Sequence, residues 1–152
     1  MLFRQLASAS AFLSVLFAAG SVMASSPRRH VTVDLVSEKV AAAKGQTITV
    51  ALIEKIEPGW HTYWVNPGDS GEPTAVEWTL PDGVAAGPLL WPLPRVVMIG
   101  PLANYGYENE AALLTEIEIP QSFAGSELTV AGHVTYLVCK DICVPEEATV
   151  HL

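Results

Sequence analysis

The chain has 152 residues, enough for one domain of ordinary size. Half of its residues are hydrophobic, and 16 acidic side chains against 8 basic ones give a formal net charge of −8. That balance excludes the basic footprint that nucleic-acid binding requires, and it disfavours an anionic membrane surface.

In chain order, Met1–Gln5 carries one positive charge, Arg4, and an apolar run follows from Leu6 to Met23. Val22 and Ala24 place small residues at the −3 and −1 positions of a cleavage site, so residues 1–24 read as a secretory signal peptide. The competing reading is a membrane anchor, which needs about 20 predominantly apolar residues. Leu6–Val22 is short for that and is interrupted by Ser8, Ser10, Ser14 and Gly20. Cleavage after Ala24 leaves residues 25–152 as a single exported domain. It removes Arg4 and no acid, so that domain is more acidic still, and no later segment is apolar enough to span a bilayer.

The exported part reads as short strands between turns. Val31, Val33 and Leu35 alternate with Thr32 and Asp34, and Ile48, Val50 and Leu52 alternate with Thr47, Thr49 and Ala51. This is the period of a half-buried strand. Glu38–Lys44 is the one helix-like stretch, of one or two turns. Pro58-Gly59 turns the chain into the aromatic strand Trp60–Val65, and Asn66–Pro73 is punctuated by Gly and Pro as a loop is. Val76, Trp78 and Leu80 define another strand. Pro88, Pro92 and Pro94 make Gly87–Arg95 a poor central strand. Gly100–Glu110 reads as a second loop. Leu113, Ile117 and Ile119 mark a further strand, and Leu128, Val130, Val134, Tyr136 and Val138 mark a last one running into Cys139. About seven such strands imply an all-β, immunoglobulin-like antiparallel β-sandwich. Trp60, Trp64 and Trp78 belong to its core on this reading, and Asp69 and Ser70 satisfy backbone groups within their turn.

The two cysteines, Cys139 and Cys143, are separated only by Lys140, Asp141 and Ile142. A disulfide closing so short a loop stabilises by roughly 2 kcal/mol in the chain-entropy account, well below what a long loop yields. The bridge of an immunoglobulin domain joins strands distant in sequence, and this pair does not. Poor value as a staple favours exchange chemistry, in which a thiolate forms a mixed disulfide that a second thiol resolves. Lys140 would favour a thiolate and Asp141 would oppose it. A local structural disulfide in a non-catalytic binding module, and a copper or zinc site, stay open as alternatives. A metal needs three or four ligands. His30, His61 and His133 lack ligand spacing to the cysteines, and only His151 comes near it. His61 and His133 fit strand patterns instead.

Trp60-His61-Thr62-Tyr63-Trp64, Asn66-Pro67-Gly68-Asp69-Ser70-Gly71, Trp91-Pro92, Tyr105-Gly106-Tyr107 and the run Val138–Glu146 together resemble the N-terminal periplasmic domain of DsbD/ScsB-type thiol:disulfide interchange proteins. The similarity runs from about Val31 to Glu147. It implies a domain that takes electrons from a thioredoxin-like domain and reduces oxidised envelope proteins in the periplasm. The electrons would come through a membrane-embedded domain, in the same or a separate chain. It further implies that Cys143 forms the mixed disulfide and Cys139 resolves it. A cap loop over the pair would fall at Tyr105, Gly106 and Tyr107, with Tyr107 either covering the sulfurs or anchoring the loop. No cofactor beyond the Cys139–Cys143 disulfide, and no metal, is implied. The cysteines are closer together than in the better-known DsbD members, which places the chain nearer the ScsB-like branch. Ending at Leu152, it is read as either the leading part of a longer protein or a free-standing domain.

Overall fold

The computed structural model describes residues 28–152. The signal-peptide expectation for residues 1–24 lies outside the described residues. Ten strands follow in chain order: β1 (Val31–Ser37), β2 (Thr47–Ile56), β3 (His61–Gly68), β4 (Ala75–Thr79), β5 (Ala85–Ala86), β6 (Arg95–Ile99), β7 (Leu102–Glu108), β8 (Glu110–Glu118), β9 (Ala131–Cys139) and β10 (Cys143–His151). They form two antiparallel sheets. One has the order β1-β2-β8-β5; the other runs β10-β9-β3-β7-β6, with β4 also paired to β9. The fold is an immunoglobulin-like sandwich.

The expected alternation holds where the hydrophobic period was clean. Ile48, Val50 and Leu52 of β2 face Leu113 and Ile117 of β8, and across the sandwich lie Val134, Tyr136 and Val138 of β9. Each fully buried aliphatic side chain stabilises by about 1.5–3 kcal/mol. Trp60, Trp64 and Trp78 pack against this core as partly buried residues. The Tyr136 hydroxyl donates to the Val31 carbonyl at 3.2 Å, and the Glu146 carboxylate accepts from the His30 backbone N–H at 2.8 Å. These bonds tie β9 and β10 to the start of β1. At Asn109, in the left-handed region at φ 66°, the chain passes directly from β7 in one sheet to β8 in the other. Asn is among the few residues that tolerate this conformation.

Three expectations are corrected. Glu38–Lys44 forms turns and no helix, because the whole segment is exposed and has no apolar face to pack. The second loop expected at Gly100–Glu110 is mostly strand. Arg95–Ile99 and Leu102–Glu108 form a hairpin turning at Gly100-Pro101, and β7 lies inside the sheet between β3 and β6. Gly106 misled because it reads as a turn residue. Here it permits close approach of two strands, since a Cβ would sit 2.0 Å from the Thr62 carbonyl oxygen. Lastly, β3 continues through Asn66-Pro67-Gly68, where a loop was expected. Pairing breaks after Tyr63 and resumes only at Gly68 opposite Asn104, so the bulge accommodates the proline.

Glu54 of β2 is fully buried between the sheets. Its two carboxyl oxygens accept hydrogen bonds from Thr62 (2.8 Å) and Thr74 (2.6 Å), and burial raises its pKa against the lowering effect of both hydroxyls. An acid with a raised folded-state pKa binds its proton more tightly in the folded chain. Its contribution therefore favours folding most below the ordinary value of 4.5 and is lost as pH rises toward the folded pKa. Glu54→Gln keeps the shape and removes the titration. Urea unfolding at acidic and neutral pH is expected to show the variant gaining on the parent as pH rises.

Candidate functional site: a cross-strand disulfide

The β9–β10 hairpin carries the chemistry at its tip. Its register places Cys139 directly opposite Cys143, and the two are joined by a disulfide with 4.1 Å between their Cα atoms. The next pair outward is hydrogen-bonded, with the Lys140 N–H donating to the Ile142 carbonyl at 3.0 Å. The cysteines thus occupy a non-hydrogen-bonded position, where facing residues come closest, at about 4.5 Å. The two cysteines differ in exposure. Cys139 is fully buried, whereas Cys143 is exposed.

Pairing continues the line across the sheet. Cys139 lies opposite His61 of β3, and His61 lies opposite Glu108 of β7. Cys143, Cys139, His61 and Glu108 therefore form one row over four strands. Thr62 points inward to Glu54, so its neighbours His61 and Tyr63 share the outer face of the sheet with the cysteines. The Tyr63 hydroxyl lies 3.8 Å from Cys143 Sγ and 3.2 Å from His61 Nε2. Burial holds the His61 pKa below its ordinary value, with Glu108 opposing, and pushes the Tyr63 phenol up.

Tyr63 has no exposed surface although it faces away from the core. The segment that follows β3 accounts for this by passing over it. Gly71, at φ 94°, lies so close that a Cβ would come within 2.2 Å of the phenol ring. Asp69 and Ser70 fasten the same segment to β7. The Ala103 N–H donates to Asp69 Oδ2 at 2.8 Å, and the Ser70 N–H and hydroxyl donate to Asn104 Oδ1 at 2.9 and 3.0 Å. They bond across to a strand, not within their own turn as expected.

Tyr105, Gly106 and Tyr107 all lie in β7. Tyr107 is buried in the core and donates to the Pro92 carbonyl at 2.8 Å, so it anchors, and burial pushes its phenol up to about 12. Tyr105 meets Trp64 edge-on at 6.3 Å. What reaches the cysteine hairpin is the tip of the β6–β7 hairpin. Met98, Ile99 and Gly100 share a cleft of about 280 Å³ with His61, Lys140 and Asp141. At the tip of the cysteine hairpin, Lys140, Asp141 and Ile142 also border a second cleft with Glu57, Trp60 and His30, whose imidazole stacks on Trp60 at 3.7 Å. His133 sits 3.6 Å from Glu147 on the surface. Among the described residues no three His, Cys, Asp or Glu side chains are grouped to hold a metal ion.

A profile of the family described as thiol:disulfide interchange protein DsbD, N-terminal, matches residues 32–152. The chain belongs to this family. As a DsbD N-terminal family member it is a thiol:disulfide interchange domain. Among solved structures it is similar to the N-terminal periplasmic domain of ScsB from Proteus mirabilis, with a TM-score of 0.58 and 22% identity, over 80% of this chain and 44% of that one. The chain thus spans less than half of that relative. A further similarity, to the GAE domain of yeast GGA1, has a TM-score of 0.44 and 13% identity over 81% of this chain and 90% of that one. No curated protein matches.

His61 and Tyr63 are the neighbours that sequence reasoning passed over. The alternation of Trp60–Trp64 puts them on one face, but no local pattern links that face to a hairpin some eighty residues later. Gly71→Ala tests the support behind Tyr63. A collision with an aromatic ring at positive φ is expected to destabilise by about 1–3 kcal/mol. Gly100→Ala, with nothing within 4 Å, should cost only the left-handed backbone penalty of about 1 kcal/mol, both read from urea midpoints.

Proposed function

We propose that this domain passes electron pairs between thioredoxin-like proteins and oxidised envelope proteins through Cys139 and Cys143, as the protein-disulfide reductase portion of a larger membrane-linked system. The observation that carries this reading is the unequal exposure of the two disulfide-bonded cysteines at a hairpin tip. An attacking thiolate needs one reachable sulfur and a leaving sulfur held beside it. Cys143 fits the first role and Cys139 the second.

In the charging direction, a thiolate of a thioredoxin-like dithiol attacks Cys143 Sγ. A partner–Cys143 bond forms, the Cys139–Cys143 bond breaks, and its electron pair leaves on Cys139, which takes up a proton. The partner's second thiolate then attacks its own bridged sulfur and releases Cys143 as a thiolate, which also takes up a proton. The partner leaves as a disulfide and the domain as a dithiol. Delivery to an oxidised client is the reverse sequence.

Family membership supports the exchange chemistry, and the fold similarity to a ScsB domain described as periplasmic supports the same compartment here. So does the signal peptide read at residues 1–24. The membrane-embedded donor domain, in this chain's continuation or in a separate chain, follows from the same family reading. Shielding of Cys139, the buried member of the pair, falls to the β6–β7 hairpin, which carries Tyr105, Gly106 and Tyr107 and whose tip lies beside Lys140 and Asp141.

Cys139→Ala is expected to accumulate a mixed disulfide with a thioredoxin-like partner on non-reducing gels, and Cys143→Ala is expected to accumulate none. Failure of both variants to trap a partner, together with a reduction potential below about −300 mV, would instead identify a structural disulfide.

A further inference from the structure

Beside the disulfide, two buried polar side chains connect sulfur to a solvent cleft. The Tyr63 hydroxyl stands 3.8 Å from Cys143 Sγ, His61 Nε2 stands 3.2 Å from that hydroxyl, and His61 lines the cleft beneath the β6–β7 tip. Neither ring faces the hydrophobic core, so neither is needed to fill it. The close approach of Gly71 holds the phenol in place. A disulfide sulfur carries no proton, so in the oxidised form the sulfur accepts if it bonds to Tyr63 at all. A thiol at Cys143 would instead donate to the Tyr63 oxygen, leaving the phenol proton free to point at His61.

We propose that His61 takes the proton of Cys143 during exchange and passes it to solvent, with the Tyr63 hydroxyl as carrier between Cys143 and His61. This rests on the reading of Cys143 as the exchanging thiol and deepens it. In the delivery direction, the Cys143 thiol gives its proton to the Tyr63 oxygen as the Tyr63 proton passes to His61 Nε2, leaving a thiolate and an imidazolium. The thiolate bonds to one sulfur of the client disulfide. The client's S–S bond breaks, and its electron pair leaves on the second client sulfur, which takes a proton from water. The Cys139 thiol loses its proton to water, and the resulting thiolate attacks Cys143 Sγ. That re-forms the domain's disulfide and expels the first client sulfur, which takes up a proton. The imidazolium gives its proton to solvent through the cleft. The client gains two electrons and two protons, and the domain loses both.

The charges around His61 suit this cycle. Glu108 of β7 faces it directly and favours the imidazolium, while Lys140 and Asp141 at the hairpin tip face the same cleft with opposite signs. Cys139 of β9 flanks it and Tyr63 lies on its own strand. Burial disfavours a lasting charge on either ring. Tyr63 is then a conduit, and His61 releases its proton readily once the thiolate has reacted. Tyr63 touches the reacting sulfur and is catalytic; His61 acts through it.

The test uses Cys139→Ala as the parent, leaving Cys143 the single thiol, and follows its rate with 2-hydroxyethyl disulfide across pH. Tyr63→Phe and His61→Gln are added one at a time, with urea midpoints recorded for each. Glutamine keeps a hydrogen-bonding group toward Tyr63 but does not titrate. Both variants are expected to react roughly tenfold more slowly than the parent near neutral pH, below the usual range of positioned acid–base effects. They are expected to converge on the parent above the ordinary thiol value of about 8.5, where the sulfur ionises unaided. Identical profiles, or a loss that is uniform with pH, would overturn the relay while leaving the exchange reading intact. A parent that reacts at no pH would overturn both.

Discussion

Strand β9 is the constraint on which the site depends. It pairs with β10 on one side and with both β4 and β3 on the other. Val134, Tyr136 and Val138 press one of its faces into the core, and all three are buried. The strand cannot slip by one residue without turning those side chains outward. Because the core fixes Val138, it fixes Cys139 on the opposite face one residue later, opposite both Cys143 and His61. The position of the disulfide is thus a consequence of hydrophobic register, delivered at the open end of the sandwich.

The surrounding segments solve a different problem. Tyr63 and His61 are bulky groups on the outer face of a sheet, where nothing in the sandwich covers them. The bulge interrupts the β3 ladder between Tyr63 and Gly68, the segment that follows brings Gly71 against the phenol, and β4 then resumes pairing along the same edge of β9. Asp69 and Ser70 fasten that cover to β7. A motif that reads in sequence as a loop rich in turn residues is in three dimensions the wall of the site.

Much of the sandwich was legible because its strands bury one face each. β1, β2, β4, β8 and β9 showed their period directly, in runs such as Ile48-Val50-Leu52. β7 did not, because Asn104, Gly106 and Tyr107 owe their places to a bulge, a close backbone approach and a carbonyl partner at Pro92. None of these is a periodic signal. The cysteine pair was legible from its spacing alone, as a bridge too short to brace the fold. The unequal exposure of the two residues was not, since burial of Cys139 depends on strands that meet it from far along the chain. Glu54 was equally hidden: it occupies an inward position in β2, and only the tertiary structure supplies Thr62 and Thr74 as its partners.

The hairpin register has one more consequence. From Val144 opposite Val138 to His151 opposite Ala131, the β9–β10 ladder holds without help from sulfur. Opening the disulfide asks only that two side chains rotate apart, while the backbone keeps its pairing. On the proposed exchange reading, the oxidised and reduced domains would offer a partner nearly the same outline. The direction of transfer would then rest on a few atoms at the tip and not on a change of shape.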